Sequence, residues 1–137
     1  LLNDNVSVLR YRGDNSVICT PKYVQDKFGL EPYQYADFKS LTGDKSDNIK
    51  GAYRIGIKTA SALLQEFGTL SNIIKNTEQI KKTTVKQSIT NSRELLLQNF
   101  ELIKLDVKSD IPFKLDEMIF SYNNITTTEV MRGIGLK

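Results

Sequence analysis

The chain has 137 residues, a net charge of +3 and 39% hydrophobic residues, values that fit one small domain with a modest buried core. It contains no histidine, which excludes histidine-based triads and histidine metal ligands, and its single cysteine excludes an intrachain disulfide. No apolar run approaches the roughly 18 residues of a membrane span, and no signal peptide opens the chain. We therefore expect a cytoplasmic protein without a membrane partner.

The first 29 residues predict a β-hairpin followed by a helix. Two short β-branched stretches, 6–9 and 17–20, flank a Gly-Asp-Asn turn sequence at 13–15, which is the usual order in a hairpin. Thr20 stands directly before a proline, a combination that favours a helix start, and Gly29 is placed to end that helix.

Apolar periodicity and capping residues predict five further helices after this point. The predicted ranges are 32–43, 58–67, 69–76, 86–102 and 124–133. The stretch 49–56 lies between the first two and is predicted to form a short hairpin, whereas 105–120 is predicted to be extended and irregular. Thr126 and Glu129 have the spacing of a capping box at the start of the last helix.

The stretch from 51 to 59 joins two glycines to the start of a helix. Gly51 and Gly56 permit positive φ and close approach of another backbone, and a valine at 56 is expected to distort the loop and cost both binding and stability. Ile57, Lys58 and Thr59 follow directly, so their unpaired N–H groups and the positive end of the helix dipole face the loop. Such a helix start is a ready site for an anion.

Three cations surround these donors. Lys50, Arg54 and Lys58, together with the helix amides, predict a cradle for phosphate groups that reads no base edge. The alternative is an ordinary turn between helices with solvated charges. The apolar residues around the turn favour the cradle because they have helix–hairpin–helix spacing; they are Ile49, Ile55, Ala60, Leu63 and Leu64.

Two carboxylates lie just before this cradle. Asp44 and Asp47 are three residues apart on a polar loop, and paired oxygen ligands suit Mg²⁺ or Mn²⁺. The alternative is local turn chemistry, in which the side chains accept hydrogen bonds from nearby backbone amides. Spacing alone leaves both interpretations open, and two carboxylates are too few to hold a two-metal centre.

The segment PYQYADFKSLTGDKSDNIKGAYRIGIKTASALLQEFGTL, which begins at Pro32, resembles the C-terminal half of the bacterial and phage 5′-3′ exonucleases. These enzymes are also called flap endonucleases, and the family includes the 5′-nuclease domain of DNA polymerase I. The resemblance implies a mainly α fold, a helix–hairpin–helix (SAM-like) C-terminal subdomain with a short N-terminal β-hairpin. Residues 1–20 then form the tail of an α/β catalytic half missing from this chain. Residues 21–137 form a helical DNA-binding subdomain, with the helix–hairpin–helix at about 41–67.

The resemblance also implies an activity and its site residues. The family hydrolyses phosphodiesters near 5′ ends and flap junctions with divalent metal, and its carboxylates that match Asp44 and Asp47 belong to the second metal's site. The region that matches Gly51 to Leu64 grips the backbone of duplex DNA, often with a monovalent cation such as K⁺ at the hairpin. We expect a monomer that binds duplex or flap DNA.

The chain departs from the family pattern at two loop positions and in its extent. Lys50 stands where the family usually has proline, and Arg54 where it has glycine. Arginine takes a positive φ only at a cost, so we expect either an ordinary φ at this position or a shifted loop geometry. Most of the family's metal-binding acids lie upstream of the matching segment, so the chain alone is expected to bind duplex DNA weakly and to cleave poorly or not at all.

Three functions follow from these observations. The first is the DNA-binding C-terminal part of a metal-dependent 5′-3′ exonuclease or flap endonuclease. The second is a non-enzymatic helix–hairpin–helix adaptor whose acids only cap turns, and the third is a helical protein-interaction domain that does not bind nucleic acid. Salt dependence separates the third from the others, because phosphate contacts give an affinity that falls steeply with ionic strength.

Overall fold

A computed structural model describes residues 2–106, 110, 112–118 and 126–135. The chain divides into two units, Leu1–Leu105 and Asp106–Lys137. In the segment 105–120, which was predicted to be extended and irregular, residues 107–109, 111, 119 and 120 lie outside the described residues, and Leu115–Met118 forms a short 3₁₀ turn. That residues 1–20 are the tail of a catalytic half, and that 21–137 form a separate DNA-binding subdomain, stays a prediction.

The N-terminal hairpin and the helix that follows it form as predicted. Strand β1 (Val8–Arg10) pairs antiparallel with β2 (Val17–Cys19). Helix α1 (Pro21–Phe28) begins where the Thr20 side chain accepts a hydrogen bond from the Tyr23 amide. It ends at a glycine in the left-handed conformation, which closes the last turn of the helix without a Cβ penalty.

The rest of the first unit is helical except for one two-residue strand pair. The helices are α2 (Tyr35–Thr42), α3 (Ile57–Phe67), α4 (Leu70–Lys75), α5 (Thr83–Asn91) and α6 (Arg93–Ile103), with short 3₁₀ turns at Pro32–Gln34 and Thr77–Gln79. The strands are β3 (Gly43–Asp44) and β4 (Ile49–Lys50). In the described part of the chain, no helix is long and apolar enough to cross a membrane.

The strand pairing that separates α2 from α3 lies upstream of the predicted hairpin. The prediction placed the hairpin at 49–56, but β3 pairs antiparallel with β4, with Gly43 opposite Lys50, and the segment 51–56 is a loop without strands. The turn at 45–48 provides the reversal, with Asn48 at a φ of 56°. Asparagine tolerates this left-handed conformation better than other non-glycine residues, so the turn closes there.

The single long helix predicted over 86–102 is wrong, because the chain breaks it into α5 and α6 at Ser92. Ser92 has φ −102° and ψ 10°, and its amide donates to the carbonyls of Ser88 and Ile89. Asn91 and Ser92 are poor helix formers whose polar side chains compete for backbone groups. The apolar face predicted for this helix comprised Ile89, Leu96, Phe100 and Ile103, of which the first two are buried and the last two are half-buried.

The core of the first unit lies between α2, α3, α4 and α6, with α2 packed against α3 and α6. Its fully buried side chains include Leu41, Leu64, Ile73, Ile89 and Leu96. Two buried polar side chains connect the helices.

The first of these, Asp37, accepts a hydrogen bond from the Leu70 amide at 2.8 Å and so caps α4, while its burial raises its pKa. The second, Gln34, donates to the carbonyls of Leu64 and Gly68 at the end of α3.

The second unit contains the predicted terminal helix, α7 (Thr127–Gly133). The capping box forms as expected, since the Thr126 hydroxyl accepts from the Glu129 amide and the Glu129 carboxylate accepts from the Thr126 amide. These bonds from Thr126 lower the pKa of Glu129. A short 3₁₀ turn, Leu115–Met118, precedes the helix.

Candidate nucleic-acid interface

The loop 51–56 is held by backbone hydrogen bonds at Ala52 and Ile55. The Ala52 amide donates to the carbonyl of Leu41 at 2.9 Å, and the Ile55 amide donates to the carbonyl of Ala52 at 3.1 Å. Ala52 and Ile55 are buried, whereas the two residues between them, Tyr53 and Arg54, are exposed. The loop therefore presents a turn whose ends are held and whose central side chains face solvent.

Two later helices hold the same loop through its carbonyl groups. The Asn99 side-chain amide, on α6, donates to the carbonyls of Ser40 and Lys50 at 3.1 and 2.7 Å. The Ser88 hydroxyl, on α5, donates to the carbonyl of Tyr53. The loop is thus positioned by contacts from three helices, α2, α5 and α6.

Arg54 has a positive φ, so the expectation of an ordinary φ at this position is wrong. Its φ is 59°, and it occupies the third position of the turn closed by Ile55 and Ala52, where type II turns favour glycine. A left-handed non-glycine residue costs about 1–2 kcal/mol. The guanidinium lies 5.1 Å from the centre of the Tyr53 ring, and an exposed cation–π pair contributes about 0.5–1 kcal/mol, so the pair offsets part of that cost.

The two loop glycines serve different purposes, and neither has a positive φ. A Cβ on Gly51 would lie 2.3 Å from the carbonyl carbon of Thr42 and 2.5 Å from the oxygen of Leu41, so close backbone approach requires glycine there. A Cβ on Gly56 would meet no atom within 4 Å, and its φ of −92° is available to any residue. The structure gives no steric reason for a valine at Gly56 to distort the loop, contrary to the prediction.

Helix α3 starts at the exposed side of this loop. Gly56 is its N-cap and supplies no side-chain acceptor, and the first amide with an intrahelical acceptor is that of Ala60, which donates to the Gly56 carbonyl at 2.9 Å. The amides of Ile57, Lys58 and Thr59 therefore lie at the positive end of the helix without intrahelical partners. Ile57 and Lys58 are exposed, so an anion can reach these amides.

The three predicted cations are exposed and have no carboxylate partner among the residues that the structure describes. Lys50, Arg54 and Lys58 all lie at the surface around the loop. The described salt bridges join other residues, namely Lys22 to Asp26, Lys39 to Asp44 and Lys86 to Glu78. All seven predicted binding residues lie in the segment 50–59, where Gly51 is half-buried and lies close to the backbone at the end of α2.

Of the two predicted metal ligands, Asp44 already has partners for both carboxylate oxygens. Oδ1 accepts from the amide and the hydroxyl of Ser46, and Oδ2 lies 2.9 Å from the Lys39 ammonium. The Ser46 hydroxyl and Lys39 hold the pKa of Asp44 at about 2, below its ordinary value of 3.8, so the carboxylate is ionised at neutral pH. Asp47 is exposed on the adjacent turn.

The two aspartates remain a partial site by themselves. The described residues contain no cluster of three or more histidine, cysteine, aspartate or glutamate side chains that could hold a metal ion. The turn chemistry that competed with the metal interpretation is present at Asp44. A bound divalent ion would have to share this carboxylate with Lys39 or displace it.

Comparison with known proteins places the chain in a family. A family model described as 5′-3′ exonuclease, C-terminal SAM fold, matches residues 30–126. The chain belongs to the 5′-3′ exonuclease family. The resemblance predicted from the sequence is confirmed, and so is the mainly helical SAM-like fold with its short strand pair.

Curated relatives of this exonuclease-family chain are bacterial. The thermostable DNA polymerase I of Thermus thermophilus is 40% identical over 116 residues, which is 85% of this chain and 13% of that protein. The 5′-3′ exonuclease of Buchnera aphidicola is 33% identical over 141 aligned positions, which is 97% of this chain and 48% of that protein. The chain thus spans less than half the length of either relative.

Solved structures of a phage nuclease share the fold. The flap endonuclease of bacteriophage T5, in a pseudo-enzyme-product complex with DNA and metal ions, superposes with a TM-score of 0.66 and 29% identity, over 75% of this chain and 38% of that one. The T5 5′-exonuclease with bound zinc gives a TM-score of 0.65 at 28% identity, over 74% of this chain and 37% of that one.

Sequence reasoning missed the residues that position the loop. Ser88 lies 35 residues after Tyr53, and Asn99 lies 49 residues after Lys50, so no local pattern connects them to the loop. Asn99 did leave a signal, because it is a polar residue on the apolar face of α6 beside Leu96. A polar side chain at such a position needs buried partners, which here are backbone carbonyls.

Proposed function

We propose that this chain is the DNA-binding part of a divalent-metal-dependent 5′-3′ exonuclease or flap endonuclease that hydrolyses phosphodiesters near 5′ ends. The segment 50–59 holds the sugar–phosphate backbone of a duplex. The observation that carries the proposal is the exposed start of α3 at Gly56, where open amides, open space and the cations Lys50, Arg54 and Lys58 occur together.

The open space at Gly56 supports a close approach by a ligand. Neither the conformation of Gly56 nor the packing around it requires glycine, since a Cβ would meet no atom of the protein. We infer that a side chain there would instead compete for space with a ligand at the Ile57 and Lys58 amides. A phosphate that accepts hydrogen bonds from these amides needs that volume, so we propose that Gly56 is the point of closest approach between the loop and the DNA backbone.

The proposed contacts involve phosphates and no bases. Amides, lysine and arginine can all bind phosphate oxygens, which are the same for every sequence. We therefore propose that this site positions the duplex without selecting its base sequence. Such a function suits an enzyme that acts at a 5′ end or junction of any sequence.

We further propose that Asp44 and Asp47 contribute to a Mg²⁺ or Mn²⁺ site that further acids from outside this chain complete. A divalent ion in such a site stabilises negative charge on phosphoryl oxygens and lowers the pKa of bound water. Asp44 is held ionised and oriented by Lys39 and Ser46, which suits a ligand for a cation. Two carboxylates fall short of a full two-metal centre, which supports a catalytically incomplete fragment.

A K⁺ ion at the hairpin stays a proposal based on the family resemblance. The carbonyls of Lys50, Ala52 and Tyr53 each already accept a hydrogen bond. A carbonyl oxygen has two lone pairs, so a cation would have to use the second one on each.

The test of the DNA-binding function is a fluorescence-anisotropy titration of the chain with duplexes of unrelated sequence at several salt concentrations. We expect equal affinities for all sequences and a steep fall with salt. The Lys58→Ala variant should lower the slope of log affinity against log salt by about 0.9 for each phosphate that it no longer neutralises. Lys75→Ala removes an equal charge on α4 and serves as the control. A strong sequence preference, or an affinity independent of salt, would contradict the proposal.

The second candidate is the non-enzymatic adaptor, which the contacts that Asp44 already makes with Ser46 and Lys39 favour. Mn²⁺ titration of the wild type against an Asp44→Ala/Asp47→Ala double variant separates the two. Weaker Mn²⁺ binding by the variant supports the metal site, and equal binding supports the adaptor. A flap-cleavage assay completes the test, because robust turnover by this chain alone would contradict the proposed incompleteness.

A further inference from the structure

A second basic surface adjoins the α3 start and, apart from Lys58, takes no part in the contacts described so far. It is a groove of about 330 Å³ between α3 and the segment that leads into α5. Its rim carries Lys58, Lys81 and Lys82, and its floor includes the buried side chains of Leu63 and Val85. We refer to the surface formed by Lys58, Lys81 and Lys82 as the lysine groove.

The charge of the lysine groove is not neutralised within the described residues. Its three lysines form no salt bridge there, and Glu66 is the one acid that lines the groove, which leaves three positive charges against one negative. The whole chain carries a net charge of only +3. Nearby Lys86, in contrast, is paired with Glu78.

The groove also contains the start of a second helix. Lys82 is the N-cap of α5 and supplies no side-chain acceptor, and the first amide with an acceptor in this turn is that of Val85, which donates to the Lys82 carbonyl at 2.9 Å. Thr83 and Thr84 are exposed, and their amides lie at the positive end of α5. Lysines and helix amides therefore occur together here, as they do at the start of α3.

We propose that the lysine groove is a second phosphate-binding surface, which holds the sugar–phosphate backbone of the same duplex beyond the loop. This inference rests on the proposed function. Continuity carries it, because Lys58 belongs both to the cradle at the start of α3 and to the rim of the groove. A shallow groove with charges on its rim and an apolar floor suits an extended polyanion, which needs no enclosing pocket.

A pair of double variants tests the groove. Lys81→Ala/Lys82→Ala removes two of its charges, and Lys75→Ala/Lys104→Ala removes two exposed lysines elsewhere in the same unit. If both groove lysines bind phosphates, the first variant lowers the slope of log affinity against log salt by about 1.8. The wild type should then lose about 12-fold more affinity than this variant between 50 and 200 mM salt, whereas the control should match the wild type.

Two further measurements distinguish a duplex contact from a general charge effect. Glu66→Gln removes the acid of the groove and should raise the affinity for duplexes that are long enough to reach the groove, with no effect on shorter ones. With duplexes shortened stepwise, the wild type and the Lys81→Ala/Lys82→Ala variant should converge at the length that no longer reaches the groove.

Several outcomes overturn the inference. A groove variant that behaves like its control, or that differs from the wild type by the same factor at every duplex length, rules out the second phosphate-binding surface. An equal loss of affinity for a poly-glutamate peptide would indicate an acidic protein partner and would overturn the duplex assignment. If Lys58→Ala weakens DNA binding and the groove variant does not, the proposed function survives and this inference fails; a wild type without DNA affinity contradicts both.

Discussion

The two glycines of the loop give the sharpest prediction, because close packing requires glycine at 51, whereas at 56 we propose that glycine is needed for binding. In Gly51→Ala, the new Cβ would lie 2.3 Å from the Thr42 carbonyl carbon, 2.5 Å from the Leu41 oxygen and 2.6 Å from the Gly43 nitrogen. All three are backbone atoms, so the clash cannot be relieved by a side-chain rotation. The end of α2 or the strand β4 has to move.

The expected loss of stability follows from the contacts that this movement disrupts. Overpacking costs about 1–3 kcal/mol, and a clash with backbone belongs to the upper part of that range. The same movement weakens the hydrogen bond from Ala52 to Leu41, which contributes about 1 kcal/mol. We expect Gly51→Ala to lower the free energy of unfolding by about 3 kcal/mol. Gly56→Ala should change it by less than about 1 kcal/mol, because its Cβ meets open space and the residue is only an N-cap.

Urea denaturation followed by circular dichroism measures both stabilities, and anisotropy measures duplex binding by the folded fraction. We expect the two variants to differ in opposite ways: Gly51→Ala should be less stable than the wild type, whereas Gly56→Ala should be as stable but should bind DNA more weakly. Gly56→Ala is the matched control for the chemical change, since both variants add one methyl group to the same loop. A Gly51→Ala protein as stable as the wild type, or a Gly56→Ala protein with unchanged affinity, would refute the reasoning.

Three other predictions address the loop and the acidic turn. Tyr53→Ala should weaken DNA binding only when Arg54 is present, and Tyr53→Phe should restore it; additive effects in a double-mutant cycle with Arg54→Ala would show that the ring does not position the guanidinium. Asn99→Ala leaves two carbonyls without their donor and should cost about 1–3 kcal/mol in urea unfolding, an effect absent if water replaces the amide. Because the pKa of Asp44 is lowered to about 2, its contribution to stability is present above its ordinary pKa of 3.8 and is lost as the pH falls toward 2; an Asp44→Asn variant should lose less stability over that range.

Local signals predicted the N-terminal caps of α1, α4 and α7 correctly, because a cap is an interaction between residues three or four positions apart. Thr20 caps α1 through the Tyr23 amide, Thr69 caps α4 through the Asn72 amide, and Thr126 forms the capping box of α7. The family motif from Pro32 onward also depends only on the order of residues. The start of α3 directly after Gly56, which carries the proposed site, could therefore be predicted from the sequence.

The amino-acid sequence by itself determined the helical class of the first unit, its apolar faces, the start of α3 and the cations beside it. Only the tertiary structure decided that the chain breaks at Ser92, that the strand pair lies at 43–50, and that Arg54 and not a neighbouring glycine has the positive φ. The physical reason is the range of the interactions. The loop conformation is fixed by bonds from Ala52 to Leu41, Ser88 to Tyr53 and Asn99 to Lys50, and those partners meet only when α2, α5 and α6 pack together.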